Sequence, residues 1–118
     1  MKVKTNILNG VALDWAVACV EELSPFDHRK ISDDCIITLD NGDIEKFTPS
    51  TDWAQAGPII ERELLTLDYN PLTPHGRPWI ATTRGGAEEY GATPLIAAMR
   101  AYVSSTFGDD VDIPEDLL

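Results

Sequence analysis

A chain of 118 residues, 43% of them hydrophobic, is expected to fold as one domain over residues 1–118 with a core of its own. The net charge of −11 argues against direct nucleic-acid binding, which needs a basic surface to displace counterions. No apolar run reaches membrane-spanning length, and the first residues lack the apolar core of a signal peptide. We therefore expect a soluble, cytoplasmic protein without membrane contact.

The first part of the chain predicts a short strand or extended segment over residues 1–8, followed by a helix. Asn9 is placed to cap this helix, and Ser24-Pro25 ends it, because proline disfavours helical geometry in the residue before it. Cys19 lies on the apolar side and is expected to be a buried thiol. The apolar stripe repeats at three- and four-residue steps: Leu13, Ala16, Val17, Val20 and Leu23.

A polar loop over residues 26–34 separates the helix from a predicted β-hairpin. Asn41-Gly42 lies between two β-prone runs, 35–40 and 43–47. Both residues tolerate positive φ, so this pair is a strong hairpin signal.

The segment Thr48–Glu63 carries two successive helix-start signals. Ser50 or Thr51 can cap a first turn, while Pro58 suits the first position of a second helix. A helix capped at Thr51 would hold Pro58 in its interior, where proline clashes with the preceding turn. We expect either a short turn followed by a helix from Pro58, or one kinked helix.

The remaining elements are two short strands and a long helix. Residues 64–67 and 79–83 are predicted strands on either side of a loop over 68–78, and 84–91 is interpreted as a flexible linker. Thr93-Pro94 begins the final helix, which Gly108 ends. Its apolar stripe is predicted to be buried: Leu95, Ile96, Met99, Tyr102 and Val103. Residues 109–118 form an acidic tail whose apolar side chains we expect to pack against the body. Together these elements predict an α+β fold, an antiparallel sheet with a β-hairpin, packed by helices.

Three stretches resemble the NinX family of lambdoid phage proteins: Ala12–Val17, Ser50–Glu63 and Thr93–Arg100. The closing run, from Gly108 to Leu118, is similar too. The Ser-Thr-Asp element and the alanine-rich last helix also resemble phage proteins with an α/β/α sandwich domain. The resemblance implies a compact three-layer α/β/α domain, encoded by a phage or prophage and present in the bacterial cytoplasm.

Groups that suit a small anion recur at two predicted helix starts. Hydroxyls at these starts lie beside unpaired backbone N–H groups, which favour phosphate or carboxylate oxygens. Indoles can stack on a base, and guanidinium groups pair with phosphate. The candidate ligand-binding residues are Ser50, Thr51, Asp52, Trp53, Gln55, Arg62, Trp79, Arg84, Thr93 and Arg100.

The favoured hypothesis is a non-catalytic phage accessory protein that sequesters a small anionic, nucleotide-type signal in a counter-defence role. The alternative is that these residues have only structural roles: the hydroxyl residues cap helices, the tryptophans fill the core and Arg100 pairs with an acid. A homo-oligomer is expected, because so short a chain has little surface from which to build a closed pocket.

Two other functions stay open. An acidic inhibitor could imitate nucleic acid toward a basic host protein, using the densest acidic run: Asp109, Asp110, Asp112, Glu115 and Asp116. An enzyme could pair Asp52 with Glu61, or His28 with Asp33, as acid and base. No motif orients a nucleophile and no metal-ligand spacing is present, so we expect no enzyme, cofactor or metal.

Overall fold

The computed structural model describes residues 1–23, 25–26, 34–73 and 75–118, with only the backbone described at 25–26. His28 and Asp33, one of the two acid–base pairs considered above, lie outside these ranges. The helices are α1 (Gly10–Val20), α2 (Trp53–Glu63) and α3 (Pro94–Phe107). The strands are β1 (Lys2–Lys4), β2 (Pro25–Phe26), β3 (Ile36–Thr38), β4 (Ile44–Lys46), β5 (Thr66–Tyr69), β6 (Trp79–Thr82), β7 (Glu88–Gly91) and β8 (Asp110–Asp112).

Helix α3 lies at the centre of the described fold. It contacts α1, α2, β8 and the sheet made of β5, β6 and β7. Eight consecutive or nearly consecutive side chains of α3 are buried: Leu95, Ala97, Ala98, Met99, Arg100, Ala101, Tyr102 and Val103. The sequence predicted one apolar stripe, but the alanines let neighbours approach α3 from several sides, so burial extends around the helix.

The ends of α3 follow the sequence prediction. The Thr93 hydroxyl accepts a hydrogen bond from the Ile96 N–H at 3.1 Å, and Pro94 is the first helical residue. Gly108 is the C-cap, with φ of 80°. A hydroxyl cap satisfies one orphan N–H, and glycine adopts positive φ without steric cost.

Two of the sheets contain hairpins with the same loop. In the predicted hairpin, β3 and β4 pair antiparallel, the Leu39 N–H donates to Asp43 O, and Gly42 has φ of 90°. In the second, β6 and β7 pair antiparallel, the Thr83 N–H donates to Ala87 O, and Gly86 has φ of 96°. Each loop has three residues and ends on a glycine with positive φ.

The second hairpin corrects the prediction of a flexible linker over 84–91. Residues Glu88–Gly91 form β7, and only the three residues before Ala87 form the loop. Likewise, β5 begins at Thr66 and extends into the predicted loop as far as Tyr69.

The central segment forms a single helix rather than a turn followed by a second helix from Pro58. Helix α2 begins at Trp53 and holds Pro58 in its interior. Asp52, not Ser50 or Thr51, is the cap: its carboxylate accepts a hydrogen bond from the Ala54 N–H at 2.9 Å. The helix ends at Glu63, and its C-cap, Leu64, has a left-handed φ of 55°.

Helix α1 is shorter than predicted. Asn9 occupies the N-cap position but makes no side-chain capping bond, and the helix ends at Val20. Glu22 adopts φ of 58°, which ends the helix before the predicted proline stop.

The acidic segment 109–118 is built into the fold. Strand β8 pairs antiparallel with β1, and both Val111 and Ile113 are buried. Lys4 lies 3.2 Å from Asp110, and the Met1 amino group lies 2.8 Å from Asp112. The apolar residues of the segment 109–118 therefore pack in the core, as expected, and part of its backbone forms strand β8.

The fold class is α+β, as predicted. Within the described residues the strands divide among three antiparallel sheets, in the orders β1-β8, β2-β3-β4 and β5-β6-β7. The three-layer sandwich stays an expectation of the resemblance. In the same ranges, no helix is both long and apolar enough to cross a bilayer.

Candidate functional site

Ser50 lies inside the protein, over a buried carboxylate. Its backbone N–H donates to Asp14 Oδ1 at 2.8 Å, which joins α1 to the loop before α2. Burial raises the pKa of Asp14 to about 6, although the hydrogen bond from the Ser50 N–H opposes the shift. The Ser50 hydroxyl faces the same carboxylate, yet it makes no hydrogen bond of ordinary geometry.

Gln55 ties the start of α2 to β4. Its Oε1 accepts a hydrogen bond from the Thr48 N–H at 2.6 Å, and its Nε2 donates to Lys46 O at 2.8 Å. Both ends of the amide are therefore satisfied by backbone groups of the protein. Thr51 is exposed and its hydroxyl lies 3.4 Å from Thr48 O.

Trp53 is the exposed tryptophan of this region, with 54% of its surface accessible. It is the first residue of α2, directly after the capping Asp52. Glu61, the proposed acid–base partner of Asp52, lies about 13 Å further along the helix axis at 1.5 Å per residue. The helix therefore does not bring these two carboxylates together.

Trp79 belongs to an aromatic pair at the end of the sheet. Its ring and that of Tyr69 meet edge to face, with centroids 5.1 Å apart and planes at 62°. These residues oppose each other in the register of β5 and β6, and Trp79 also opposes Gly91 of β7. The start of α3, capped by Thr93, follows Gly91 closely along the chain.

Arg100 is a buried structural residue. Its Nε donates to Leu8 O at 2.7 Å, and its Nη1 donates to Tyr90 O at 2.8 Å. Burial lowers its pKa, and the positive charge of Arg77 lowers it further. Arg100 thus fixes β7 and the segment before α1 to α3 through carbonyl oxygens rather than through an acid.

Arg62 and Tyr102 join α2 to α3. Arg62 Nη2 donates to the Tyr102 hydroxyl at 3.0 Å, and the guanidinium carbon lies 5.9 Å from the centroid of the tyrosine ring. The same guanidinium contacts Glu63 at 2.8 Å and Glu21 at 2.9 Å. These carboxylates, Glu63 foremost, raise the pKa of Arg62, so it is always charged.

A cleft of about 120 Å³ adjoins this pair, between the end of α2, the β6–β7 loop and the second half of α3. Arg84 of the loop is exposed and makes no hydrogen bond or ion pair with any described residue. Burial raises the pKa of Tyr102, and the charge of Glu21 raises it further, so the phenol keeps its proton at neutral pH. The lining residues are Glu63, Thr83, Arg84, Gly85, Tyr102 and Ser105.

Of the ten candidate residues, Arg84 lines this cleft, and Arg62 contacts Tyr102, which also lines it, without lining the cleft itself. Larger cavities are lined by other described residues: one of about 280 Å³ beside Glu89 and Asp109, and an apolar one of about 310 Å³ beside Ile7. The indoles of Trp53 and Trp79 line none of these three cavities, and neither does Arg100. Among the described side chains, no group of His, Cys, Asp and Glu is arranged to hold a metal ion.

Sequence reasoning missed the hydroxyls of the cleft. Tyr102 was assigned to the apolar stripe of α3, and Ser105 lies three positions further on the same side of the helix. That spacing could have been detected in the sequence. Thr83 and Arg84 reach the same cleft only through the β6–β7 hairpin, which was interpreted as a linker.

The fold and this cleft define a small α+β protein with a surface site that contains arginine and tyrosine. Neighbouring carboxylates neutralise part of the positive charge at this site. A family model described as Bacteriophage P22, NinX matches residues 4–106 of the chain. The chain belongs to this NinX family, and the assignment supports a phage accessory protein. No curated protein matches the sequence.

Proposed function

We propose that this non-catalytic phage accessory protein binds and sequesters a small anionic, nucleotide-type molecule. Its phosphate would lie in the cleft between Arg84, Arg62 and the Tyr102 hydroxyl. Removal of a nucleotide signal would serve the phage as counter-defence.

The observation that carries the proposal is the guanidinium of Arg84, which lines the cleft together with Tyr102 and has no hydrogen-bond or ion-pair partner among the described residues. Arg62 shares its charge with Glu21 and Glu63, whereas Arg84 has no such partner among the described residues. A planar guanidinium can donate two parallel hydrogen bonds to phosphate oxygens. Arg84 is therefore the cation that remains available for an anion.

The size of the cleft limits what it would enclose. Pockets that bury a whole drug-sized ligand measure about 300–1,000 Å³, and this cleft measures about 120 Å³. It suits one phosphate group, with the sugar and base lying outside it. A second copy of the chain is the proposed cover for those parts, which matches the expected homo-oligomer.

Isothermal titration calorimetry with cyclic dinucleotides, ADP-ribose derivatives and inorganic phosphate tests the proposal. We expect saturable heat with at least one nucleotide, and weaker or no heat with phosphate alone. Absence of heat with every compound at high protein concentration would overturn it.

Arg84→Ala tests the site itself, with Arg77→Ala as the matched control. Hydrogen bonds to charged groups are each worth about 1.5–3 kcal/mol, so the loss of Arg84 should weaken binding about tenfold or more. Arg77 carries the same charge near Glu89 and Arg100, outside the cleft. Equal losses from the two variants would show that only net charge matters.

A further inference from the structure

Part of the solvent-facing side of α2 is apolar, although Glu61 and Arg62 of the same helix are exposed as well. One side packs in the core through Ala56 and Ile59. The opposite side exposes Trp53, Ala54 and Pro58, with Trp53 54% accessible. Surface helices normally present charged or polar residues to solvent, so this composition calls for a physical explanation.

The apolar residues of this helix follow a spacing that suits docking. Trp53, Gly57 and Ile60 succeed one another at steps of four and three, which places them along one edge of the helix, where Ile60 packs partly against the core. Leu64, at the far end, is 58% accessible. Gly57 leaves open space, since a Cβ there would meet no atom within 4 Å. Helices that bind in apolar grooves present anchors at this spacing.

Negative charge borders this face. Glu61 and Glu45 are exposed, and Asp52 lies beside Trp53. The two neighbouring cations are already neutralised within the protein: Arg62 by Glu63 and Glu21, and Lys46 by Asp34 at 3.3 Å. The rim is therefore acidic, in a chain whose net charge is −11.

We infer that the outward face of α2 is a docking surface for a partner protein that presents an apolar strip bordered by lysine and arginine. Trp53 and Leu64 are its anchors, and the acidic rim steers and orients the basic partner. A second copy of this chain would oppose one acidic rim with another, so like-charge repulsion disfavours self-association here. This surface is separate from the anion cleft and from the acidic segment 109–118.

The probe is a synthetic amphipathic helix with a strip of leucine flanked on both sides by lysine, labelled for fluorescence anisotropy. We expect saturable binding that weakens as salt is added, because the rim charges are exposed. Trp53→Ala should weaken it about tenfold or more, as buried aromatic anchors do, and Leu64→Ala should weaken it less. A peptide with glutamate in place of lysine should not bind.

Leu72→Ala is the matched control, because Leu72 is 88% exposed but lies in the β5–β6 loop. The dissociation constant should not change in this variant. Equal losses from Trp53→Ala and Leu72→Ala, or equal binding of the glutamate peptide, would overturn the inference. So would a sedimentation experiment in which the wild type dimerises and Trp53→Ala does not, since that result assigns the face to a second copy.

Discussion

Asp14 is the residue whose chemistry departs most from that of the surface carboxylates. Its pKa rises from 3.8 to about 6 because it is buried. The folded protein therefore holds this proton more tightly than the unfolded chain does. Consequently the contribution of Asp14 favours folding at low pH and is lost as the pH rises from about 4 to about 6.

Asp14→Asn should therefore stabilise the protein at pH 7, by about 1–3 kcal/mol in the free energy of unfolding. The amide keeps an acceptor for the Ser50 N–H, and its NH₂ group can donate to the buried Ser50 hydroxyl. Urea unfolding at pH 5 and pH 7 measures the effect, and the gain should shrink at pH 5. Destabilisation as large as that of Asp14→Ala would show that the charge itself is required.

Single residues also show where local reasoning succeeds. The cap at Thr93 was predicted correctly because a hydroxyl followed by proline leaves little choice of geometry. The cap of α2 was predicted one or two residues early. Ser50 is drawn inward by its N–H bond to Asp14, a contact between residues 36 apart in sequence that no local pattern reveals.

At the scale of elements, the packing of α3 on β7 depends on the missing side chain of Gly91. A Cβ at this position would lie 2.5 Å from the Ala97 nitrogen, a backbone atom that cannot move alone. Gly91→Ala should therefore push the strand from the helix and destabilise the protein by about 1–3 kcal/mol or more. Thermal and urea unfolding measure the loss.

Gly57→Ala provides the control, because Gly57 lies within α2, has no positive φ and leaves open space around its Cβ. This variant should be neutral or stabilising by up to about 1 kcal/mol, since alanine favours the helix. If both variants had the same effect, the close approach of β7 and α3 would not limit stability.

The two hairpins show what decides whether an element can be predicted. Asn41-Gly42 lies between β-prone residues and was predicted as a hairpin, although its loop has three residues. Arg84-Gly85-Gly86 forms the same loop, but the strand after it begins with two glutamates, which have low β-propensity. Pairing with β6 and packing against α3 override that preference.

At the scale of the whole molecule, the segment 109–118 should contribute stability rather than act as a free acidic tail. Its deletion removes Val111 and Ile113 from the core, so we expect a loss of about 3 kcal/mol or more. The charge control, Asp110→Asn with Asp112→Asn, keeps the strand and should leave Tm nearly unchanged, because exposed ion pairs contribute little. Scanning calorimetry measures both, and a deletion without effect on Tm would contradict this assignment.

The α+β class and the approximate positions of most elements could be predicted, because periodicity and turn residues act locally. The candidate site could be predicted only in part. Arg62 and Arg84 are 22 positions apart; the β6–β7 loop brings Arg84 to the cleft that Tyr102 lines, and Arg62 of α2 contacts the same tyrosine. Ser50, Gln55, Thr93 and Arg100 instead make contacts that hold the fold together.

The most direct test of the anion site is an NMR titration of ¹⁵N-labelled protein with the nucleotide that gives the strongest calorimetric signal. The account predicts saturable shifts of the Arg84 side-chain Nε–H resonance and of the Gly85 and Ser105 amides, with the Trp53 indole resonance unchanged. Shifts confined to other surfaces, or none in the cleft at saturating ligand, would contradict it.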